Sequence, residues 1–546
     1  QCASNRLPVN IYATGTPPFL RCDARGQDGI LDAEGWRGGR GAGCAKDRGL
    51  APTGQGAGEK EDLVKADQVR HAASGPVRAP QRNAEAGRSR PDSGRTESLP
   101  IKDSFESLTG TRLTSDGRLR LIVSFQDAES AKKVRDLCSD GKCFRISGEL
   151  PLVNGFTAEV EPKQVNTLLK ALPPGSRVAV DRELDYPDPR FLFPTRPKEG
   201  PPNDSGTLDV STALIGIQKV WDQGYTGKGQ TIAVIDSGIH PHPDLKDKIV
   251  GWVDLKDGQP KPMDTFGHGT HVAGIAAGTG AKSAGTVKGV APDADLVGVR
   301  ITSVAEAIKG IQWVIENKEK YNISVLNMSL GDFATRSYKD DPWAQAAQKA
   351  VDAGLIVVVA AGNDGPSEGS VSTPGTHPDV ITVGALDDRR TMDRGDDTVA
   401  DFSSRGPTSI DGLTKPDLLA PGVSIFGPLA PGATLDVPEL PHIGTDYFAI
   451  SGTSMATPMV AGLAAILKQA NPELTHHQIK EILVHTADRY LPDESNVQGA
   501  GLLDASEALE VALDRAKSKP APAAQSAGVV ARKPAGPEYE QGFLFA

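Results

Sequence analysis

A chain of 546 residues exceeds one ordinary hydrophobic core, so more than one folded unit is expected. Its 70 acidic and 59 basic side chains give a net charge of -11, without the basic excess that marks a nucleic-acid surface. No stretch approaches the roughly 20 apolar residues of a membrane span, so neither nucleic acid nor membrane is expected as a partner.

Residues 1–117 show no helical or strand period and are rich in Gly, Arg, Ala, Pro and Asp, as in Gly35-Trp36-Arg37-Gly38-Gly39-Arg40. They read as a disordered segment without the apolar stretch of a signal peptide. The chain opens on Gln1, so either its natural start lies elsewhere or this segment is not native coding sequence. All five cysteines precede the largest unit. Cys138 and Cys143 flank a turn-like Ser-Asp-Gly-Lys and are either bridged or reduced.

From residue 118 the pattern changes. Leu119 to Phe125 alternates as a strand, and Ala128 to Leu137 reads as a helix with Ala131, Val134 and Leu137 on one face. Phe144 to Leu150 and Gly155 to Val160 read as strands, Pro162 to Leu172 as a second helix and Arg177 to Val180 as a last strand. The order βαββαβ is that of a small ferredoxin-like α+β domain, here 118–187. Residues 188–207 form a Pro-rich, charged linker.

Residues 208–513 make the largest unit. Ile217 to Trp221 reads as a short helix. Apolar strands follow at Ile232 to Ile235, Leu296 to Ile301, Val325 to Met328, Ile356 to Ala360 and Val380 to Val383. Helical patterns at Val304 to Glu319 and Trp343 to Ala353 lie between them. That alternation predicts an α/β fold, a parallel sheet covered by helices on both faces. A polar helix is expected from Thr475 to Thr486. Residues 514–546 are Ala, Pro and Lys rich and read as a flexible tail.

Three segments carry the chemistry. Val234-Ile235-Asp236-Ser237-Gly238 ends a strand in a carboxylate, at the sheet edge where catalytic groups gather in open α/β folds. His268-Gly269-Thr270-His271-Val272-Ala273-Gly274 sets a histidine at the entry to a small-residue helix. Gly452-Thr453-Ser454-Met455-Ala456-Thr457-Pro458 does the same with a serine, although Thr453 or Ser454 reads equally as a helix cap. A serine attacks a carbonyl only with a base to take its proton, and the base needs a carboxylate to hold its tautomer. Asp236, His268 and Ser454 supply those three types in that chain order.

On these motifs the sequence resembles the subtilisin family (subtilases) of serine endopeptidases from about Leu208 to Leu513. The resemblance implies Asp236, His268 and Ser454 as a catalytic triad, acting through an acyl-enzyme. It implies Asn363, in Ala361-Gly362-Asn363-Asp364-Gly365, as the side-chain donor of the oxyanion hole. Ser329, Leu330 and Gly331 would pair with an extended polypeptide substrate. Ala360 and Gly362 would wall a roomy pocket for the side chain before the scissile bond. Ordinary strand-end packing is the plainer alternative for these residues.

The α+β unit resembles the family's inhibitor-type prodomain, an intramolecular inhibitor and folding aid, with Asn154-Gly155-Phe156-Thr157-Ala158 at a familiar place. Its tail, from Asp181 to Asp204, would lie in the active site until a self-cleavage that makes the chain a zymogen. An unrelated α+β domain is the alternative. The resemblance also implies export and a monomer, with a cytoplasmic location as the alternative where no signal peptide is visible.

No cofactor is needed for the chemistry, and no His-Glu-x-x-His or Cys-x-x-Cys pattern suggests a catalytic metal. Asp244 matches a calcium-binding position of the family. The loop Gly278 to Gly285 lacks the expected Asn and carries Lys282, so a structural calcium is left undecided. The region from Ile301 to Gly310, normally a second substrate edge, is a few residues short. Phe426 to Tyr447 reads as an insertion, and Met459 stands where many members have His. His271 is expected to be buried and structural. His240, His242, His377, His442, His476, His477 and His485 are expected to be solvated.

Two other classes are weighed. A silent binding module on the same fold should lack one of Asp236, His268, Ser454 or Asn363, and all are present. An α/β-hydrolase esterase needs a Gly-x-Ser-x-Gly elbow, which Ser454 does not occupy.

Overall fold

The parallel sheet forms where apolar runs are long enough to be buried on both faces. The computed structural model describes residues 114–138, 144–184 and 207–517. The expectations for the N-terminal segment before residue 114, the Cys138–Cys143 pairing, the processing linker and the tail after residue 517 lie outside the described residues.

The N-terminal module contains β1 (Leu119–Ser124), α1 (Ala128–Cys138), β2 (Arg145–Leu150), β3 (Gly155–Val160), α2 (Val165–Ala171) and β4 (Arg177–Val180). Its strands form one sheet in the order β2-β3-β1-β4. The pairs β1–β3, β1–β4 and β2–β3 are all antiparallel. Phe125, Val134, Phe156 and Leu168 are buried in its own core.

The larger unit begins with α3 (Leu208–Leu214), α4 (Ile217–Asp222), β5 (Thr231–Asp236), β6 (Ile249–Asp254), α5 (His268–Ala277), β7 (Asp295–Arg300), α6 (Val304–Tyr321) and β8 (Ile323–Met328). It continues with α7 (Pro342–Asp352), β9 (Ile356–Ala360), β10 (Ile381–Asp387), β11 (Thr398–Val399), β12 (Leu418–Pro421), β13 (Ile425–Pro428), β14 (His442–Ile443) and β15 (Tyr447–Ile450). The last elements are α8 (Thr453–Ala470), α9 (His476–His485), α10 (Ser495–Gln498) and α11 (Ala505–Lys517).

The main sheet runs β11-β10-β9-β8-β5-β7-β6, with β12 also on β10. All its pairings are parallel except β10–β11. One core holds α5 and α8 against one face, through Val272, Ile275, Met459 and Leu463. The other holds α6 and α7 against the opposite face, through Ile308, Ile311, Trp343 and Ala347. Met459, at the position noted for His, is fully buried there as a packing residue.

The N-terminal module contributes to that second core. Ile122, Leu150 and Val153 pack into the same buried cluster as Val304, Ile308 and Trp343. A polar seam borders it. Ala305 N donates to Asp181 Oδ1 at 2.9 Å, and Arg120 pairs with Asp181 Oδ2 at 2.6 Å. The stretch from Phe426 to Tyr447 contains most of a small sheet of its own, β13-β15-β14, beside α5.

Candidate active site

Asp236 is the last residue of β5 and fully buried. Its Oδ1 accepts a hydrogen bond from Ser237 N at 2.7 Å and stands 2.8 Å from His268 Nδ1. His268 is the first residue of α5. The close approach of that helix depends on Gly269. A Cβ there would stand 2.1 Å from Gly238 O and 2.9 Å from the Asp236 Cβ. Ser237 Oγ accepts from Gly269 N at 2.9 Å and ties the same corner.

The sequence reading missed Asp264. Its Oδ1 accepts from Ser237 Oγ at 3.0 Å and Gly267 N at 2.8 Å, and its Oδ2 from Thr270 N at 2.9 Å and Thr270 Oγ1 at 2.7 Å. A buried carboxylate thus satisfies orphan N–H groups at the start of α5 and fixes the turn that presents His268. The available signal was an Asp a few residues ahead of the helix entry.

Burial disfavours the charged form of His268, but the charge and hydrogen bond of Asp236 outweigh it, with help from Asp264, and its pKa is raised above 6.5. His271, on the same helix, is pushed down to about 3 by burial and by the proximity of His268. Its Nε2 lies 3.1 Å from Ile425 O and 3.2 Å from Phe448 O. It is a neutral, buried cross-link to the small sheet.

Ser454 is the second residue of α8, with Gly452 as N-cap. Neither Thr453 nor Ser454 caps this helix, a correction to one reading of the sequence. Asn363 takes that place, its Oδ1 accepting from Thr453 N at 2.9 Å and Thr453 Oγ1 at 3.0 Å. An amide held by its oxygen presents its nitrogen as a donor. A Cβ on Gly452 would lie 3.5 Å from Asn363 Nδ2 and 3.6 Å from Ser454 N. The two donors therefore flank one small space that the glycine leaves open.

Ser454 Oγ donates to Ser329 O at 2.8 Å. Ser329 and Leu330 are buried directly after β8, and Gly331 is exposed at the end of that run. Ala360 ends β9 and is buried, and Gly362 beside Asn363 is half-buried. A Cβ on Gly362 would come within 2.3 Å of Ser372 Oγ, and one on Gly331 within 2.8 Å of Ser372 Cβ. Ser372 thus packs between both segments, a neighbour the sequence did not reveal.

Three histidines expected in solvent are buried: His242, His377 and His476. His476 Nδ1 accepts from Val357 N at 3.2 Å and its Nε2 lies 2.6 Å from Asp379 O, pinning α9 to the sheet. His377 accepts from Asp379 N at 3.1 Å and meets the Tyr338 ring edge-on. His242 accepts from Asp244 N at 3.1 Å beside the Tyr447 ring. His477 and His485 are exposed.

The Asp244 position does not suit calcium in this chain. Its Oδ2 accepts from Tyr447 OH at 2.6 Å, and its Oδ1 from Lys282 N at 3.1 Å and Thr279 Oγ1 at 3.3 Å. The Lys282 ammonium stands close by, 3.6 Å from Asp446 Oδ2. Protein donors occupy the lone pairs a hard cation would need. Among the described residues, no group of three or more His, Cys, Asp or Glu could hold a metal ion.

Comparison with protein families matches residues 227–501 to the Subtilase family. Serine protease AprX of Bacillus subtilis is 36% identical over 416 residues, covering 73% of this chain and 89% of that protein. The chain belongs to the subtilase family. Subtilisin Savinase of Lederbergia lenta is 36% identical over 293 residues, 53% of this subtilase and 93% of the relative. Among solved structures, fervidolysin of Fervidobacterium pennivorans matches with a TM-score of 0.55 at 24% identity, over 73% of this chain and 62% of that one. At that identity the match speaks for the subtilisin-like α/β fold alone. As a subtilase the protein is a serine protease that hydrolyses peptide bonds. No helix among its described residues is long and apolar enough to cross a membrane.

Proposed function

We propose that this subtilase is an endopeptidase acting through Ser454, His268 and Asp236, made as a zymogen that cleaves itself. Ser454 Oγ attacks the scissile carbonyl carbon while His268 takes its proton and then returns it to the leaving amine. Water repeats the cycle on the acyl-enzyme. Asp236 holds the imidazole tautomer and stabilises the imidazolium. The observation that carries this reading is the buried 2.8 Å contact of Asp236 and His268 where β5 meets the start of α5. On this reading the hydroxyl of Ser454, now on Ser329 O, must turn to His268 before it attacks.

Asn363 Nδ2 and Ser454 N are the donors to the developing oxyanion, the role their shared opening supports. An extended substrate pairs its main chain with Ser329, Leu330 and Gly331, and its side chain before the scissile bond enters between Ala360 and Gly362. The module 118–187 acts as inhibitor and folding aid, and its seat on α6 and α7 supports that role. A monomer suffices, since each proposed catalytic group comes from one chain.

The test compares the full chain with its Ser454→Ala form. The parent is expected to cut itself in the linker 188–207 and to digest casein, and the variant to remain one uncut chain. Equal cutting by both would overturn the reading.

A further inference from the structure

Residues 181–184 leave β4 and run beside residues 302–304. Val304 N donates to Arg182 O at 3.1 Å, Leu184 N donates to Thr302 O at 2.8 Å, and Glu183 bridges Ser303 in antiparallel sense. This direction leads the tail toward Ile301, whose N–H is held by Asp236 O at 2.9 Å. Residues 181–184 therefore run toward the sheet edge that carries the Asp236–His268 pair.

Facing it is the segment that follows Ser329, Leu330 and Gly331. Asp332 is fixed there by backbone bonds with Thr373 in both directions, each 2.9 Å. Its Oδ1 accepts from Phe333 N at 2.8 Å and from Arg182 Nη1 at 3.3 Å. A cavity lined by Val180, Arg182, Asp332, Phe333, Arg336 and Thr373 surrounds the pair. A second ion pair joins the same two parts of the chain, Arg177 with Asp340 at 3.1 Å. Two arginines of the N-terminal module thus meet two aspartates of the larger unit.

We infer that Asp332 is a specificity determinant, selecting an Arg or Lys side chain at one position before the scissile bond of an extended peptide. Arg182 is its occupant until the tail is removed. The inference rests on the endopeptidase reading above. A carboxylate held rigidly by its own backbone is ready for a guanidinium, which forms directed, charge-assisted bonds and keeps its charge at any working pH. Its place three residues beyond Ser329, whose carbonyl takes the Ser454 hydroxyl, puts it on the wall along which a substrate lies. Both side chains are partly open to water, 28% for Arg182 and 21% for Asp332, so the selection is modest, about fivefold.

The experiment uses the matured full chain and internally quenched peptides in which one Arg is walked through the positions before the cleaved bond. The readout is the ratio of kcat/KM for Arg over Gln at each position. The parent is expected to show one position with a ratio of about 5, and Asp332→Asn to bring it to about 1. A charge exchange supplies the second arm. Asp332→Arg is made together with Arg182→Glu, so that the tail still docks, and this protein is expected to favour Glu over Gln at that position. A parent with no Arg preference, or one that persists in Asp332→Asn, overturns the inference while leaving the endopeptidase reading intact. Absence of any cleavage overturns both.

Discussion

Replacing Asp236 by Asn removes one charge and keeps the shape of the side chain. Oδ1 now serves both Ser237 N at 2.7 Å and His268 Nδ1 at 2.8 Å, and an amide oxygen can accept the same two bonds. With charge centres about 4 Å apart and an effective dielectric of about 20, the carboxylate stabilises the imidazolium by about 4 kcal/mol. Lost from the transition state, that amounts to about a thousandfold in kcat. Oδ2 is buried without a hydrogen-bond partner, so an amide nitrogen there stays unpaired and costs about 1–3 kcal/mol of folding stability, apart from the loss in kcat. The reversed amide would instead force the wrong tautomer on His268 and add to the loss.

The pH profile supplies an independent readout. The base must be neutral to accept a proton, so the rate rises as pH passes the His268 pKa, which lies above 6.5 in the parent. Without the Asp236 charge, burial is opposed only by Asp264, and the acid limb moves to lower pH. The assay is kcat/KM on one chromogenic peptide across pH, with thermal unfolding as the folding control. A loss smaller than about tenfold, with the acid limb unmoved, would refute the coupling.

Asn363→Leu and Asn363→Asp separate catalysis from stability. Both are expected to lower kcat by about 100- to 1000-fold with little change in KM, a range measured in a subtilisin and carried over from that relative. Only the Leu form also loses about 1–3 kcal/mol of folding stability, because Thr453 N then lacks its acceptor. Equal unfolding midpoints for the two would refute the anchoring role of Oδ1. Tyr447→Phe removes the phenol from buried Asp244 and is expected to cost about 1.5–3 kcal/mol in urea unfolding of the Ser454→Ala form. An unchanged midpoint would show that Asp244 is not held this way. Val153→Asp puts a carboxylate into the apolar seat on α6 and α7 and, on the Ser454→Ala background, should hasten removal of the N-terminal module by added trypsin. Identical digestion rates would show that this seat does not hold the module.

The sheet is legible in the sequence where strands are buried on both faces. Ile356–Ala360 reads as one unbroken apolar run, and its strand has those same bounds. Strand β6 escapes because Ile249-Val250-Gly251-Trp252 has a glycine and an exposed valine at the sheet margin, without the continuous run of a central strand. The small sheet of β13, β14 and β15 escapes because its strands are short and interrupted by Gly427 and Pro428.

The site divides along the same line. Residues at element ends stand out, because small residues and glycines must surround a helix start that approaches a strand as closely as Gly269 approaches Asp236. Residues that act across long chain separations do not. His476 looks solvated beside exposed His477, and its contacts with Asp379 and with Val357, 119 residues away in the chain, show why it is buried. Asp332 is the sharper case. Nothing in Gly331-Asp332-Phe333 separates a substrate-facing carboxylate from a turn residue. On the inference drawn above, its meaning comes from Arg182, 150 residues earlier in the chain, whose Nη1 lies 3.3 Å from its Oδ1.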